Sequence, residues 1–356
     1  MTQERSIDVL VAGLGPAGSC AAAEAAKAGL NVLAIERKVS AGKPVQCAEF
    51  VPSPMGIEVD NLAANSLQPI TSMVTFVEQE PGETVEQFPG LMIDRERFDA
   101  QLATAAADAG AECQFAVKVQ RIDVDGAVQL STGETVKPRL LIGADGPRSV
   151  VGAAVGQVNI QIAETRQITV PLHEELPSTD IFLSSTFPGG YGWLFPKGDQ
   201  ANLGLGLRPA LKDQLKPLLA GLHQTLQEAG RVGATISAHT GGAIPVGGML
   251  KPYGQIGDVP VLLAGDAAGL TNPVTGAGIN AAVLSGRRAG QSATALLAGD
   301  DAAPEDYAEE LEDLLKPSLD RALRRRQALL DHYTTGRPSA DHLRASWIAY
   351  PDYWAA

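Results

Sequence analysis

Gly13, Gly15 and Gly18 fall in the run Gly13-Leu-Gly-Pro-Ala-Gly18, directly after apolar residues 7–12 and before an alanine-rich stretch reaching about Ala28. Glycine at 13 permits a tight turn, glycine at 15 lets a pyrophosphate approach the backbone, and glycine at 18 lets a helix lie close on a sheet. The helix start adds unpaired N–H groups and partial positive charge. Glu36 ends the next apolar strand, eighteen residues beyond Gly18. Its carboxylate suits two ribose hydroxyls and repels a 2′-phosphate. A second constellation, Gly265-Asp266-Ala-Ala-Gly-Leu-Thr-Asn-Pro273-Val-Thr-Gly276-Ala-Gly278-Ile279-Asn280, follows apolar residues 259–264. A carboxylate at a buried strand end needs donors, which a sugar-alcohol chain would supply. Gly276 and Gly278 bring backbone N–H groups and a second helix start to a planar, electron-rich ring. The plainer alternative makes Asp266 a helix cap.

Positioning these groups takes a strand–loop–helix–strand unit over residues 1–60. The sequence predicts that residues 40–60 form a long ordered loop and that residues 70–90 form strands with Met73, Thr75 and Val77 alternating. A helix is expected over 95–109, strands over 114–130, and a buried strand ending in Gly143-Ala-Asp145-Gly146. Residues 160–250 read mostly as strands, and residues beyond 304 as helix with a break at Pro317. These pieces give a discontinuous Rossmann-type α/β domain (1–60, 91–155, 255–300), a mostly antiparallel inserted sheet domain (61–90, 156–254) and a short C-terminal helical segment (301–356).

Composition narrows the classes. The 356 residues carry a net charge of −13, which repels phosphate backbones and excludes nucleic acid as a partner. No uncharged apolar run approaches about 18 residues, and the polar start shows no leader, so a cytoplasmic protein is expected. Cys20, Cys47 and Cys113 have no paired spacing, so neither a disulfide framework nor a metal site is expected.

With these residues in place, the sequence resembles the FAD-dependent oxidoreductases of the p-hydroxybenzoate hydroxylase superfamily. The resemblance implies that the first glycine loop holds the ADP half of FAD, that Asp145-Gly146 borders the cofactor, and that Asp266 holds the ribityl chain. Arg95 matches an arginine that reaches FAD in that group; an i+4 pairing with Asp99 accounts for it equally. Two segments are similar to the geranylgeranyl reductase family: Pro44-Val-Gln-Cys47-Ala48-Glu49 and Tyr191-Gly-Trp193-Leu-Phe195-Pro196-Lys197-Gly198. By that resemblance Ala17, Arg37, Cys47, Ala48, Val119, Pro273 and Ile279 join the cofactor neighbours. Tyr191, Trp193 and Phe195 alternate onto one strand face and form either a core or a substrate wall. Cys47 and Tyr191 are the candidate catalytic groups, Cys20 packs in the core, and Lys197 reads as a solvated turn residue. The Arg321, Arg324, Arg325 and Arg326 run reads as a solvated face pairing with Asp313 and Asp320, with peripheral membrane contact as the other reading.

The resemblance implies hydride transfer from N5 of reduced FAD to an isoprenoid double bond, with NAD(P)H or another electron donor bound transiently. Ala48 in place of the family's glycine, and the short tail, depart from its pattern and bear on the length of the prenyl substrate. Two other readings stay open. One is a monooxygenase acting on an aromatic compound or a protein-bound tryptophan; the other is a non-catalytic electron carrier serving a partner protein.

Overall fold

The computed structural model describes residues 4–53 and 62–355, so residues 54–60 of the expected 40–60 loop lie outside the described residues. Five parallel strands run in the order Val259–Leu263, Thr135–Gly143, Glu4–Ala12, Val32–Glu36, Glu112–Phe115. Their apolar runs are buried on both faces, as parallel strands between helices require. Ala12, Glu36, Gly143 and Leu263 all lie at carboxyl ends, where open α/β sheets bind ligands.

Two helices, Pro16–Lys27 and Ile279–Leu297, run side by side in the same direction. A Cβ on Gly286 would sit 2.1 Å from the Ala17 carbonyl oxygen, and one on Gly290 would sit 2.5 Å from that of Ala21. Glycine facing alanine therefore brings the two backbones together and sets both N-termini at the carboxyl edge of the sheet.

The second large sheet runs Ala238–Thr240, Ile162–Pro171, Gln200–Leu207, Gly192–Lys197, Ser178–Leu183, Ser72–Val77, Glu83–Val85. Leu194, Leu203, Leu205 and Leu207 point to one face, under Leu215 and Leu219. Trp193 and Phe195 point to the other, beside Tyr191. The bare face of Gly204 makes room for the indole, since a Cβ there would lie 2.3 Å from the Trp193 ring. A small antiparallel sheet, Phe50–Pro52, Gly90–Ile93 and Ser66–Ile70, packs through Met92 against Trp193 and Phe195 and through Val51 and Ile93 against Cys20 of the first helix.

Three expectations need correction. A helix, Leu215–Glu228, interrupts the stretch read as strands and covers the outer face of the sheet. Phe50–Pro52 is a strand inside the expected loop. The helix Ala303–Thr335 runs unbroken through Pro317. Pro317 is exposed, so the carbonyl it leaves unbonded faces water, while Leu311, Leu315 and Leu319 hold the opposite stripe in the core. The C-terminal segment is also more than a trailing helix: Ala340–Ala345, Pro351–Trp354 and the turn between them fold back over the second sheet.

Candidate cofactor and substrate site

One cavity of about 1740 Å³ is lined by all but one of the residues that the sequence offers as cofactor-binding, substrate-wall or catalytic candidates. The exception is Gly18, which packs beneath the glycine loop. A Cβ there would lie 1.8 Å from the Gly13 carbonyl oxygen, so its part is the close approach of helix to loop. Gly13 has φ +100°, and a Cβ on it would meet the Ala144 carbonyl oxygen at 2.3 Å.

Gly15 differs from both. Its φ of −74° suits any residue, and no heavy atom lies within 4 Å of where its Cβ would stand. Neither the backbone nor the packing requires glycine there, so the bare position leaves clearance toward the cavity it lines. Glu36 accepts from the N–H of Leu14 at 3.0 Å and of Lys38 at 2.9 Å, keeping one lone pair free on each oxygen. Arg37 and Val119 line the same end.

Asp266 carries the opposite end. Its carboxylate accepts from the Thr271 hydroxyl at 2.6 Å, and burial pushes its pKa above the usual range, against the pull of Thr271 and Arg95. A half-buried carboxylate that lines the cavity with one hydroxyl donor fits a hydroxyl-bearing chain, and the cleared space at Gly15 fits a pyrophosphate, so the residues present suit a dinucleotide flavin. A raised folded-state pKa means stability falls as pH rises from the ordinary carboxylate range to the raised value, then levels off. Asp266→Asn should therefore stabilise the cofactor-free protein at pH 7 and flatten that fall, which urea unfolding across pH will show. Its affinity for FAD should drop by about tenfold or more, the worth of a charged hydrogen bond.

Asp145 lines the cavity, but its carboxylate is taken by the Ser149 hydroxyl and the Val150 N–H at 2.7 Å; burial raises its pKa. Arg95 makes the i+4 pairing, forking onto Asp99 through two bonds of 3.0 Å, and it also lines the cavity. Burial opposes its charge, yet Asp99 and the Cys47 sulfur more than offset that and hold its pKa above the ordinary value. Pro273, Gly276, Gly278 and Ile279 line the floor with Ala17.

The loop carrying Cys47 and Ala48 hangs from the second sheet. Gln167 donates to the Cys47 carbonyl at 3.2 Å, Asn202 to that of Ala48 at 3.3 Å, and Thr240 to that of Val45 at 2.6 Å. Gln167 also accepts from the Trp193 indole at 3.0 Å. Lys197 is not a solvated turn residue: it pairs with the buried Glu49. The two similar segments are thus bolted together.

Tyr191, Trp193 and Phe195 form one wall with Met73 and Ile181. The Tyr191 hydroxyl donates to the Thr275 carbonyl at 2.6 Å, and burial, with a lesser push from Cys47, raises its pKa. Trp347 from the C-terminal arm covers Tyr191, ring centroids 4.7 Å apart. Arg344 ties the arm to Glu80 and Glu83 at the sheet edge. Sequence reasoning missed Trp347, although an aromatic run in an otherwise polar tail was its signal. The arginine run is also not a solvated face paired with aspartates. Arg325 holds the Tyr353 carbonyl at 3.0 Å, Arg321 lies 5.2 Å over the Trp354 ring, Arg326 is buried, and of the four only Arg324 is exposed.

Residues 6–180 match the FAD binding domain family, and residues 160–243 match the geranylgeranyl reductase catalytic domain. A digeranylgeranylglycerophospholipid reductase of Methanocella arvoryzae is 35% identical, the match covering 88% of this chain and 85% of the relative. One from Methanopyrus kandleri is 34% identical over 83% of this chain and 78% of its own. The crystal structure of a geranylgeranyl bacteriochlorophyll reductase-like protein from Thermoplasma acidophilum superposes with a TM-score of 0.79 at 25% identity, covering 96% of this chain and 90% of that one. With near full-length relatives at this identity and both motif segments on one cavity, the chain belongs to the geranylgeranyl reductase family of FAD-dependent oxidoreductases.

Proposed function

We propose that this chain reduces carbon–carbon double bonds in the polyprenyl chains of a glycerophospholipid. The observation that carries this reading is the apolar chamber of Tyr191, Trp193, Phe195, Met73 and Ile181 under Trp347, continuous with the cavity of the glycine loop and Asp266. Prenyl chains are apolar throughout, and such walls bury them and keep water out.

We assign the cofactor to Gly13, Gly15, Ala17, Glu36, Arg37, Cys47, Ala48, Arg95, Val119, Asp145, Asp266, Pro273, Gly276, Gly278 and Ile279, with Gly18 shaping their loop. When bound and reduced, FAD supplies a hydride to one carbon of the double bond. The second carbon takes a proton, which completes a two-electron reduction. Tyr191 keeps its proton on the Thr275 carbonyl and orients the wall. Cys47, whose sulfur accepts from the Glu49 N–H at 3.2 Å, is the remaining protein donor at this wall. A nicotinamide dinucleotide or another carrier restores the electrons between turnovers. Among the described residues no helix is long and apolar enough to cross a membrane. We assign contact with the lipid surface to exposed Trp354 beside Arg321.

Anaerobic protein, reduced with dithionite, should be reoxidised by digeranylgeranylglycerophospholipid, and the lipid should gain two hydrogens per double bond by mass spectrometry. Protein that stays reduced would overturn the proposal. Uptake of labelled oxygen into the product would replace it with the monooxygenase reading.

A further inference from the structure

Among the buried and half-buried cations of the described residues, Arg326 stands apart from those paired with a carboxylate. Arg95 has Asp99, Lys197 has Glu49, and Arg231 has Asp180. Arg326 is 8% exposed and lines the cavity, yet no carboxylate of the described residues pairs with it. Its one hydrogen bond runs from Nη1 to the Pro273 carbonyl at 3.3 Å, and its Nε–H is buried without an acceptor. Burial alone pushes its pKa down to about 10. A guanidinium taken from water without an anion is strongly disfavoured, and it offers a flat fork of donors suited to a phosphate.

Its placement ties it to the substrate wall. Pro273 and Thr275 belong to one short turn; Pro273 accepts from Arg326 and Thr275 accepts from Tyr191. On the other side stands Gly189, where a Cβ would come within 3.2 Å of Nη2. That bare position keeps space beside the guanidinium. A second buried donor without an acceptor, the indole N–H of Trp347, lies on the ring that covers Tyr191. The Arg326 Nε–H and the Trp347 N–H can only donate, and the Thr179 hydroxyl, buried without a partner on the same cavity, can donate too, so a ligand that only accepts answers all three.

We propose that Arg326, seconded by Trp347, binds the phosphate ester of the substrate's head group, so that this chain prefers an anionic polyprenyl lipid to its neutral counterpart. The inference rests on the double-bond reduction proposed above and names the end of the substrate that the apolar wall does not hold.

The test compares digeranylgeranylglycerophospholipid with neutral digeranylgeranylglycerol, using the FAD-loaded wild type, Arg326→Lys and Arg326→Met. Arg326→Met should raise KM for the phospholipid by about 10- to 100-fold, a factor well above the one it costs the neutral lipid. Arg326→Lys, which keeps the charge but not the fork, should recover part of the loss. Equal losses on both lipids, or none on either, would overturn the proposal. So would tight binding of inorganic phosphate alone to the wild type, which would make the site one for the free ion. Binding of the phospholipid to the oxidised protein, followed by tryptophan fluorescence, should weaken in Arg326→Met by the same factor. This readout needs no turnover, so it separates a failed head-group assignment from a failed reductase assignment.

Discussion

Gly15→Ala yields a folded protein that purifies without flavin colour. The first half of that expectation follows from geometry: φ is −74°, and the added methyl meets no protein atom within 4 Å. Gly15 is the N-cap of the helix Pro16–Lys27 and gives no side-chain cap, so exchanging it for alanine loses about 1 kcal/mol or less. The second half follows because the methyl occupies the space through which a phosphate reaches the N–H groups of the loop. A clash of this kind costs about 1–3 kcal/mol, or about 5- to 150-fold in Kd for FAD. Gly18→Ala gives the opposite pattern. Its methyl would overlap the Gly13 carbonyl at 1.8 Å and force helix and loop apart, so the protein itself loses stability. Urea unfolding of the cofactor-free proteins and FAD titration check both variants. A yellow Gly15→Ala protein with unchanged affinity would remove the phosphates from this loop.

The glycine loop, Glu36 and the Asp266 turn were legible because each is local: a strand, a turn and a helix start within a few residues. What holds the Cys47–Ala48 side of the cavity was not. Gln167 and Asn202 reach the Cys47 and Ala48 carbonyls from strands 120 and 154 residues away, and no spacing rule links such positions. Their signal was faint but physical, since both are polar side chains at inward positions of apolar strands and need partners. The helix Leu215–Glu228 was legible and overlooked: Leu215, Leu219 and Leu226 are buried at helical spacing. Pro317 misled because a proline on the wet face of a long, packed helix frees a carbonyl that water can satisfy. The arginine run misled because its charges answer backbone carbonyls and an indole, groups that carry no charge to read in a sequence.

Lys197→Met destabilises the protein by about 3 kcal/mol, far more than loss of any surface ion pair. Glu49 is 3% exposed and holds φ +70°, a left-handed conformation that a glutamate adopts only under restraint. The restraint is its carboxylate, which accepts from Lys197, from Asn202 at 2.8 Å and from the Arg95 N–H at 3.3 Å. Removing the lysine leaves a buried anion with two neutral donors, the costly half of a broken pair. The lysine is 26% exposed on its side chain, so water softens the loss toward the lower end of the range for buried pairs. Exposed pairs such as Arg139 with Asp8 should change stability by about 1 kcal/mol or less when broken. Glu49→Gln combined with Lys197→Met removes both charges and should recover part of the stability, a coupling that a double-mutant cycle in urea reads directly. Because Glu49 follows Cys47 and Ala48, a freed carboxylate also loosens the loop to which we assign the flavin. FAD affinity should therefore fall with Lys197→Met and return in part with the double variant. A single variant within about 1 kcal/mol of wild type, with full FAD affinity, would leave Asn202 and the backbone as the true hold on this loop.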